Sequence, residues 1–293
     1  MAMGRYSNKK KNLRNEMQER LSSMLKRGEG RSRHADKKAG TDKDKIYSVK
    51  TYETYKQQAF RFKDWLKENG FKASSLEEAR PYADKWLQSQ IDKGLSAWTI
   101  ATARSALVKL YGDNDFIAPP SREREHIKRS RFKAKRDAHL SEEQEEKYAF
   151  FTSALGLRRN EMLHIKGTDL RVKDGRYYIC VTKGAKGGKA RVALVACPKE
   201  DLERLLSVFC SAGDRKVFPS LPSTYDNHHY RAEYAKRIYN HFARPKDAIP
   251  REDRYICRGD MKGVILDRKA LEKVSLCLGH NRIDTSIAHY LYT

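Results

Sequence analysis

The chain has 293 residues, enough for two compact domains of ordinary size. Its 61 lysine and arginine residues outnumber 38 aspartate and glutamate residues, which leaves a formal net charge of +23 at pH 7. An excess of this size is usually retained because a polyanion neutralises it, so we expect a nucleic acid as partner. No apolar run approaches the roughly 18–20 residues of a membrane-spanning helix, and the amino terminus lacks the apolar stretch of a secretion signal. We therefore expect no membrane partner and a cytoplasmic location, in association with the nucleoid.

Residues 1–47 are predicted to form a basic arm rather than a domain. Clusters of lysine and arginine such as residues 9–11 dominate this segment, and only residues 13–25 have the helical spacing of apolar side chains. Three glycines interrupt the remainder. Two interpretations are open, a solvated tail without fixed structure and an arm that wraps the DNA backbone.

Residues 48–115 are predicted to form a small all-α domain. Apolar residues from Tyr52 to Leu66 fall on one face of a first helix, which ends near residue 70. A second helix begins at the capping box that opens with Ser75 and continues to about residue 93. A third begins at Ser96 and ends near Leu110. The aromatic residues of these helices are expected in the core rather than stacked on nucleotide bases.

Residues 116–138 are predicted to form a basic linker. Two consecutive prolines are followed by a run of lysines and arginines. Such a segment is either a solvated joint between domains or a strap that follows a DNA backbone. In the second case Arg129, Arg131 and Lys133 would contact phosphate groups.

Residues 139–293 are predicted to form a mixed α+β domain. Ser141 precedes a cluster of glutamates, as is typical of a helix amino terminus. Alternating apolar residues from Tyr177 to Val181, and again at Val192 and Leu194, predict a β-hairpin whose tip is rich in glycine and lysine. Further helices are expected at 199–210, 223–242 and 268–278, and in the segment that ends at residue 290. The fold class is therefore mainly α with a small antiparallel β-sheet.

No pattern typical of a metal site or a disulfide framework is present in the sequence. The five cysteines are widely spaced and form no C-x-x-C pair, which favours reduced thiols. No Asp/Glu/His cluster suggests a metal, and the lysine-rich segment 183–189 lacks the spacing of a Walker loop. We expect neither a metal nor another cofactor.

Five short elements, each common on its own, form one pattern when they occur together. They are Gly156-Leu157-Arg158-Arg159-Asn160-Glu161, Lys183-Gly184-Ala185-Lys186, His228-His229-Tyr230-Arg231, Leu278-Gly279-His280 and Tyr290. In this order, in one basic chain, they resemble the tyrosine recombinase family, and in particular the integrases of phages and mobile elements. The resemblance extends from about residue 48 to the end of the chain.

The resemblance implies that Arg158 and Arg231 bind the reacting phosphate, with Glu161 as the acidic neighbour of Arg158. The chemistry of these residues agrees with that role. Attack on a phosphodiester gathers negative charge on its non-bridging oxygens, and guanidinium groups are planar, permanently charged donors. Preorganised donors at developing charge are usually the largest single contribution to catalysis.

Lysine and histidine are assigned to proton transfer by the same resemblance. Lys183 is the predicted general acid for the leaving 5′ oxygen. Lys186 and Lys189 are its alternatives and are also predicted to bind DNA. His228 and His280 can move protons near neutral pH.

Tyr290 is the predicted nucleophile. In the family this tyrosine follows the last histidine by about nine or ten positions, which fits Tyr290, and the nearby Tyr292 is the alternative. A tyrosine hydroxyl has a pKa of about 10 and must lose its proton to attack efficiently.

The function implied is that of a site-specific DNA recombinase. An all-α core-binding domain of the SAM-like type and a mixed α+β catalytic domain would close as a C-shaped clamp on duplex DNA. Expected partners are duplex recombination sites and further copies of the chain in a synaptic tetramer, with an accessory DNA-bending or directionality factor as an additional candidate. A type IB topoisomerase and a catalytically idle DNA-binding scaffold are the alternatives.

Two features depart from the family pattern. Ala232 stands where many relatives have a second histidine after the arginine. The interval between Arg231 and His280 is longer than in compact relatives, and the additional segment lies at about 244–263. This segment is either a surface insertion or an elaboration that contacts DNA or a neighbouring subunit.

Overall fold

The computed structural model of the chain describes residues 12–26, 29, 33–122, 139–185, 190–222, 225, 227–258, 261–280 and 282–291. It divides into two compact units, Met1–Ile127 and Lys128–Thr293. The predicted DNA-binding residues of the linker and the hairpin tip lie outside the described residues; they are Arg129, Arg131, Lys133, Lys186 and Lys189. Across the described part of the chain, no helix is long and apolar enough to cross a membrane.

The first unit is helical. Its described helices are α1 (Leu13–Ser23), α2 (Arg33–Lys38), α3 (Val49–Glu68), α4 (Leu76–Ala79), α5 (Ala83–Asp92) and α6 (Ala97–Tyr111). Ser48, Ser75 and Ser96 each accept a backbone N–H at a helix start, and this capping explains why α3, α4 and α6 begin where the sequence predicts. The predicted core position of the aromatic residues is confirmed for Phe62 and Trp86, which are buried with ring centroids 5.1 Å apart.

The predicted second helix is interrupted. It was expected to continue from Ser75 to about residue 93, but the stretch Arg80–Tyr82 is a 3₁₀ turn between α4 and α5. Pro81 lies in this turn. Because proline has no backbone N–H and its ring crowds the preceding turn, a continuous α-helix is disfavoured there.

Helix α1 packs into the helical unit, whereas the sequence assigned its residues to an arm. Leu13, Met17 and Leu21 are buried in the same core cluster as α3 and α6. The backbone beyond α1 is also tied down, because Leu25 forms a parallel β-bridge with Ile46. The helical spacing of residues 13–25 was thus a sign of core packing, and the unit begins well before residue 48.

The second unit combines helices with two small antiparallel sheets, which agrees with the predicted fold class. Its elements are α7 (Glu142–Leu155), α8 (Arg159–Met162), β1 (Leu170–Lys173), β2 (Arg176–Val181), β3 (Arg191–Leu194), α9 (Lys199–Ala212), α10 (Asn227–Phe242), β4 (Arg254–Ile256), β5 (Ile265–Asp267), α11 (Arg268–Leu278) and α12 (Ile283–Tyr290). The predicted hairpin is formed by β2 and β3, with Ile179 opposite Ala193. Both residues are fully buried, so this face of the hairpin lies on the core.

The segment at 244–263 contains 3₁₀ turns and strand β4, which pairs with β5. Its first residue, Arg244, donates two hydrogen bonds of 2.7 Å to the buried carboxylate of Asp267. Asp267 also caps the start of α11 by accepting the backbone N–H of Lys269. The segment is therefore fastened to the helix whose other end leads to His280.

Candidate active site

Arg158 is placed by a sharp turn at the end of α7. Gly156 ends this helix with φ of 62°, a left-handed conformation that favours glycine. A Cβ atom at Gly156 would also lie 2.3 Å from the ring of Tyr234, so no larger residue fits. Arg158 then precedes α8, and its backbone N–H donates to Glu161 Oε2 at 2.7 Å. The turn fixes both the backbone of Arg158 and the position of its acidic neighbour.

The carboxylate of Glu161 lies fully buried among three arginines. Arg158 Nη1 donates to its Oε1 atom at 2.8 Å, and Arg231 Nη1 lies 3.8 Å from its Oε2 atom. The third partner, Arg191, binds both oxygens, at 2.6 and 2.8 Å. Burial acts to raise the pKa of Glu161, but hydrogen bonds and charge from Arg191, together with the Arg158 backbone and Arg231, lower it below the usual value. An ionised carboxylate thus holds the arginine cluster together.

Arg191 was not among the residues predicted from the sequence. It lies on β3, two residues before the buried Ala193, and its side chain is almost fully buried. Its Nε donates to the carbonyl oxygen of Cys277 at 2.8 Å. A Cβ at Gly279, which has φ of 69°, would lie 2.9 Å from Arg191 Cδ. The available signal was the strand alternation, which places an arginine on the inner face of the hairpin.

Arg231 is fully buried on α10. Its guanidinium donates to the carbonyl oxygens of Gly156 and Leu278, the latter at 3.2 Å. Its Nε has no hydrogen-bond partner among the described residues. Burial lowers the pKa of Arg231 from its ordinary value, with Tyr290 and Glu161 acting in the opposite direction. The predicted second phosphate-binding arginine is therefore hydrogen-bonded to the Gly156 and Leu278 motifs, and its Nε–H remains without a partner among the described residues.

Tyr290 ends α12 and lies against the predicted histidines and Arg231. Its hydroxyl is 3.2 Å from His228 Nδ1. Its ring stacks with that of His280 at a centroid distance of 5.4 Å, and the Arg231 guanidinium lies 5.5 Å from the same ring. The side chain is buried. The alternative nucleophile, Tyr292, lies outside the described residues.

His280 follows the left-handed glycine that ends α11. Its Nδ1 is 3.0 Å from the hydroxyl oxygen of Ser286. Burial lowers the pKa of His280 to about 3, and the positive charges of Arg231 and Arg158 add to this effect. The imidazole is therefore neutral at pH 7. This property suits a hydrogen-bond donor or acceptor better than the proton shuttle that the sequence suggested.

Lys183 lies apart from this cluster, exposed at the start of the hairpin loop after β2. Among the described residues it makes no hydrogen bond to the arginines, histidines or tyrosine of the site. The next residue, Gly184, is fixed to α8, because its carbonyl accepts a 2.9 Å hydrogen bond from Asn160 Nδ2. A Cβ at Gly184 would lie 2.4 Å from the Asn160 carbonyl oxygen, so the close approach requires glycine. The loop that bears Lys183 is thus anchored beside the Arg158 turn.

The described residues hold no group of three or more histidine, cysteine, aspartate or glutamate side chains arranged to bind a metal ion. The described ionisable groups around Tyr290 are arginines, histidines and one carboxylate that is already bound by arginine. This set can bind an anion such as a phosphate diester.

Part of the chain matches a known family. Residues 42–112 match the N-terminal SAM-like domain of phage integrases. The first unit contains an integrase SAM-like domain. This match confirms the predicted resemblance over these residues, and it includes most of the predicted all-α domain. No curated protein matches the chain.

Several solved structures are similar to the chain over almost its whole length. One is the XerH site-specific recombinase bound to a palindromic difH substrate, with 16% identity, a TM-score of 0.49 and coverage of 94% of this chain and 90% of that one. Another is the Tn1549 transposon integrase in complex with circular intermediate DNA, with 13% identity, a TM-score of 0.47 and coverage of 94% and 95%. The XerA recombinase has 14% identity, a TM-score of 0.30 and coverage of 95% and 94%.

Proposed function

We propose that this chain is a site-specific DNA recombinase that cleaves and rejoins DNA strands through a 3′-phosphotyrosyl link to Tyr290. The observation that carries the proposal is the position of the Tyr290 hydroxyl, 3.2 Å from His228 Nδ1 and next to the buried guanidinium of Arg231. A nucleophile, a proton acceptor and a phosphate-binding cation meet at one point. The SAM-like domain supports the same conclusion, because it is described as a domain of phage integrases.

The proposed cleavage step uses these groups in a fixed order. The Tyr290 oxygen attacks the phosphorus and gives its proton to His228, which is already within hydrogen-bond distance. The bond between phosphorus and the 5′ oxygen breaks, and Lys183 donates a proton to that oxygen. Lys186 and Lys189 are the alternative donors. Attack by a 5′ hydroxyl on the phosphotyrosyl bond reverses the step, so the strand is rejoined without an external energy source.

The two predicted phosphate-binding arginines stabilise the charge that develops on the non-bridging oxygens. Arg158 is partly exposed and can reach a ligand, whereas Arg231 is fixed by two carbonyl groups and has an Nε–H with no partner in the described part of the chain. Glu161 fixes the relative positions of the guanidinium groups. A group of this kind is preorganised, and little reorganisation is needed when the charge appears.

The proposed partner is duplex DNA. In XerH and the Tn1549 integrase, the solved complexes contain DNA substrates or intermediates. Here the linker residues Arg129, Arg131 and Lys133 would follow the phosphate backbone, and four copies would assemble at a pair of recombination sites. An accessory DNA-bending or directionality factor, and a location on the nucleoid, complete the proposal.

Two other functions are the alternatives, a type IB topoisomerase with the same tyrosine–phosphate chemistry and a catalytically idle DNA-binding scaffold. The hydrogen bond between Tyr290 and His228 favours catalysis over an idle scaffold, since a scaffold has no need for an activated tyrosine. Sequence specificity separates a recombinase from a topoisomerase, because a topoisomerase relaxes supercoils without exchanging defined sites.

The test is a library of duplex DNA with random sequence and a nick close to each potential cleavage position. Cleavage near the nick releases a short fragment that diffuses away. Without the 5′ hydroxyl of this fragment the strand cannot be rejoined, so the covalent complex accumulates. Protein-linked DNA is recovered under denaturing conditions and sequenced. Adducts that share one sequence motif support the recombinase. Adducts without a common motif indicate a topoisomerase, and no adduct above the level of a protein-free control contradicts both.

A further inference from the structure

Two buried serines lie behind His280. Ser286, on α12, is fully buried, and its Oγ is 3.0 Å from His280 Nδ1. The same oxygen is 2.9 Å from the Oγ of Ser275, on α11. Ser275 Oγ also lies 3.4 Å from the carbonyl oxygen of Arg282. These contacts form a short chain of hydroxyl groups that ends on one nitrogen of the imidazole.

The lengths of these contacts favour one direction for the hydroxyl protons. Hydroxyl hydrogen bonds are usually about 2.5–3.0 Å long, so the 2.9 Å contact with Ser286 is the favourable acceptor for the Ser275 proton. The Arg282 carbonyl, at 3.4 Å, is the poor one. Once Ser275 donates to Ser286, the proton of Ser286 is left for His280 Nδ1. That nitrogen must then present its lone pair.

A neutral imidazole has only one N–H, so the state of Nδ1 decides the state of Nε2. His280 is neutral because burial and the nearby arginines lower its pKa to about 3. With Nδ1 as acceptor, the proton resides on Nε2. Among the described residues, Nε2 makes no hydrogen bond, and the ring that bears it stacks on Tyr290.

We propose that Ser286 and Ser275 are positioning residues that hold His280 as the tautomer protonated on Nε2. A neutral donor then points into the site beside Tyr290. The Nε2–H group can donate a hydrogen bond to a phosphate oxygen during cleavage and during rejoining, and the imidazole neither gains nor loses a proton in either step. The hydrogen bond to a phosphate oxygen rests on the proposed recombinase function. The tautomer of His280 does not depend on that function.

The tautomer is measured directly by nitrogen NMR of the full-length chain labelled with ¹⁵N in its histidine rings. The chain has nine histidines, and the signals of His280 are identified by their loss in His280→Gln. We expect a protonated Nε2 and an unprotonated Nδ1 in the wild type. In Ser286→Ala the two signals should move towards each other as the tautomers mix, and in Ser275→Ala they should move less. A protonated Nδ1 in the wild type, or unchanged signals in Ser286→Ala, overturns the proposal.

Ser153→Ala is the matched control. Ser153 is also buried, but its hydroxyl donates to the Phe150 carbonyl on α7 and does not touch His280. This variant should leave the His280 signals unchanged. If it shifts them as much as Ser286→Ala does, the effect comes from general loosening of the core and the proposal fails.

Cleavage rates provide the second readout, in the form of a double-mutant cycle. Losing a preorganised donor lowers rates about 10²–10³-fold. The cleavage rate of Ser286→Ala should therefore lie between the wild-type rate and this lower limit, and its DNA affinity should be unchanged. In a His280→Ala background, Ser286→Ala should have no further effect, because its only target is gone. An equal loss in both backgrounds contradicts the positioning role. A wild type that forms no DNA adduct would contradict the recombinase function, while the NMR result would still decide the tautomer.

Discussion

Arg191 and Glu161 form a buried ion pair in which each guanidinium Nη atom donates to one carboxylate oxygen, Nη1 to Oε1 at 2.6 Å and Nη2 to Oε2 at 2.8 Å. The remaining donor of Arg191, Nε, binds the Cys277 carbonyl. One side chain thus joins the β2–β3 hairpin, the turn that bears Arg158 and the end of α11 that leads to His280. The pair therefore links three parts of the site that are far apart in sequence.

Glu161→Gln should destabilise the fold much more than the loss of a surface ion pair. The substitution keeps the shape of the side chain but leaves three arginines, two of them almost fully buried, without their counter-charge. Removing one partner of a buried pair typically costs about 3–5 kcal/mol. Urea unfolding of the second unit, followed by a probe within it, measures the change.

Glu146→Gln is the control for this substitution. Glu146 pairs with Arg204 at 3.2 Å, but 70% of its side chain is exposed. Exposed pairs contribute about 0–1 kcal/mol, so this variant should unfold close to the wild-type midpoint. Equal midpoints for the two glutamine variants would show that Glu161 does not hold the arginine cluster.

As the pH is lowered, protonation of His280 should decrease the free energy of unfolding at higher pH values than protonation of the carboxylates does. Burial and the neighbouring arginines lower the pKa of His280 to about 3, whereas an unfolded histidine titrates near 6.5. Between these values the unfolded chain binds the additional proton, so the free energy of unfolding falls as the pH decreases from about 6.5. The loss continues until the pH reaches the folded pKa.

The measurement compares the pH slope of unfolding in the wild type and in His280→Gln between pH 7 and 5. We expect a shallower slope in the variant. His241→Gln, which replaces a histidine at an exposed position near the end of α10, is the control and should retain the wild-type slope. A wild-type slope in His280→Gln would mean that the imidazole is not buried as a neutral group.

Local signals in the sequence account for the backbone position of two predicted residues of the candidate site. Gly156 and Gly279 end helices in left-handed turns, and Arg158 and His280 follow those turns within two residues, so their placement depends on nearby chain chemistry. The serine caps of the first unit also depend only on neighbouring residues. These positions can therefore be predicted from the sequence without information on contacts between distant residues.

The features that the sequence did not reveal depend on long-range packing. Arg191 is one basic residue among many; strand alternation places it on the inner face of the hairpin, but its role depends on its pairing with Glu161, thirty positions away. The apolar spacing of α1 was visible, but the core that receives it is built from later helices. Strand β4 is three residues long and exists through its pairing with β5. Periodicity cannot identify so short a strand.

Lys183→Ala should lose cleavage activity that a better leaving group restores. The lysine is predicted to protonate the 5′ oxygen, and a 5′-bridging sulfur leaves without that proton. The expected result is a slow reaction on ordinary DNA and a near wild-type rate on the sulfur-containing strand. Lys173→Ala, at an exposed lysine of β1, is the control and should need no rescue. Failure of the sulfur to restore Lys183→Ala would move the role to Lys186 or Lys189.

Tyr290→Phe should bind DNA normally and form no covalent adduct. The substitution removes the hydroxyl oxygen of the proposed nucleophile, but it keeps the ring that stacks on His280 and lies beside Arg231. Phosphate contacts elsewhere in this basic chain should preserve affinity at equal salt concentration. Tyr292→Phe is the matched control, two positions away, and should retain most of the activity. Peptide mapping of the trapped adduct identifies the linked residue, and a phosphotyrosine at position 292 would assign the nucleophile to Tyr292 instead.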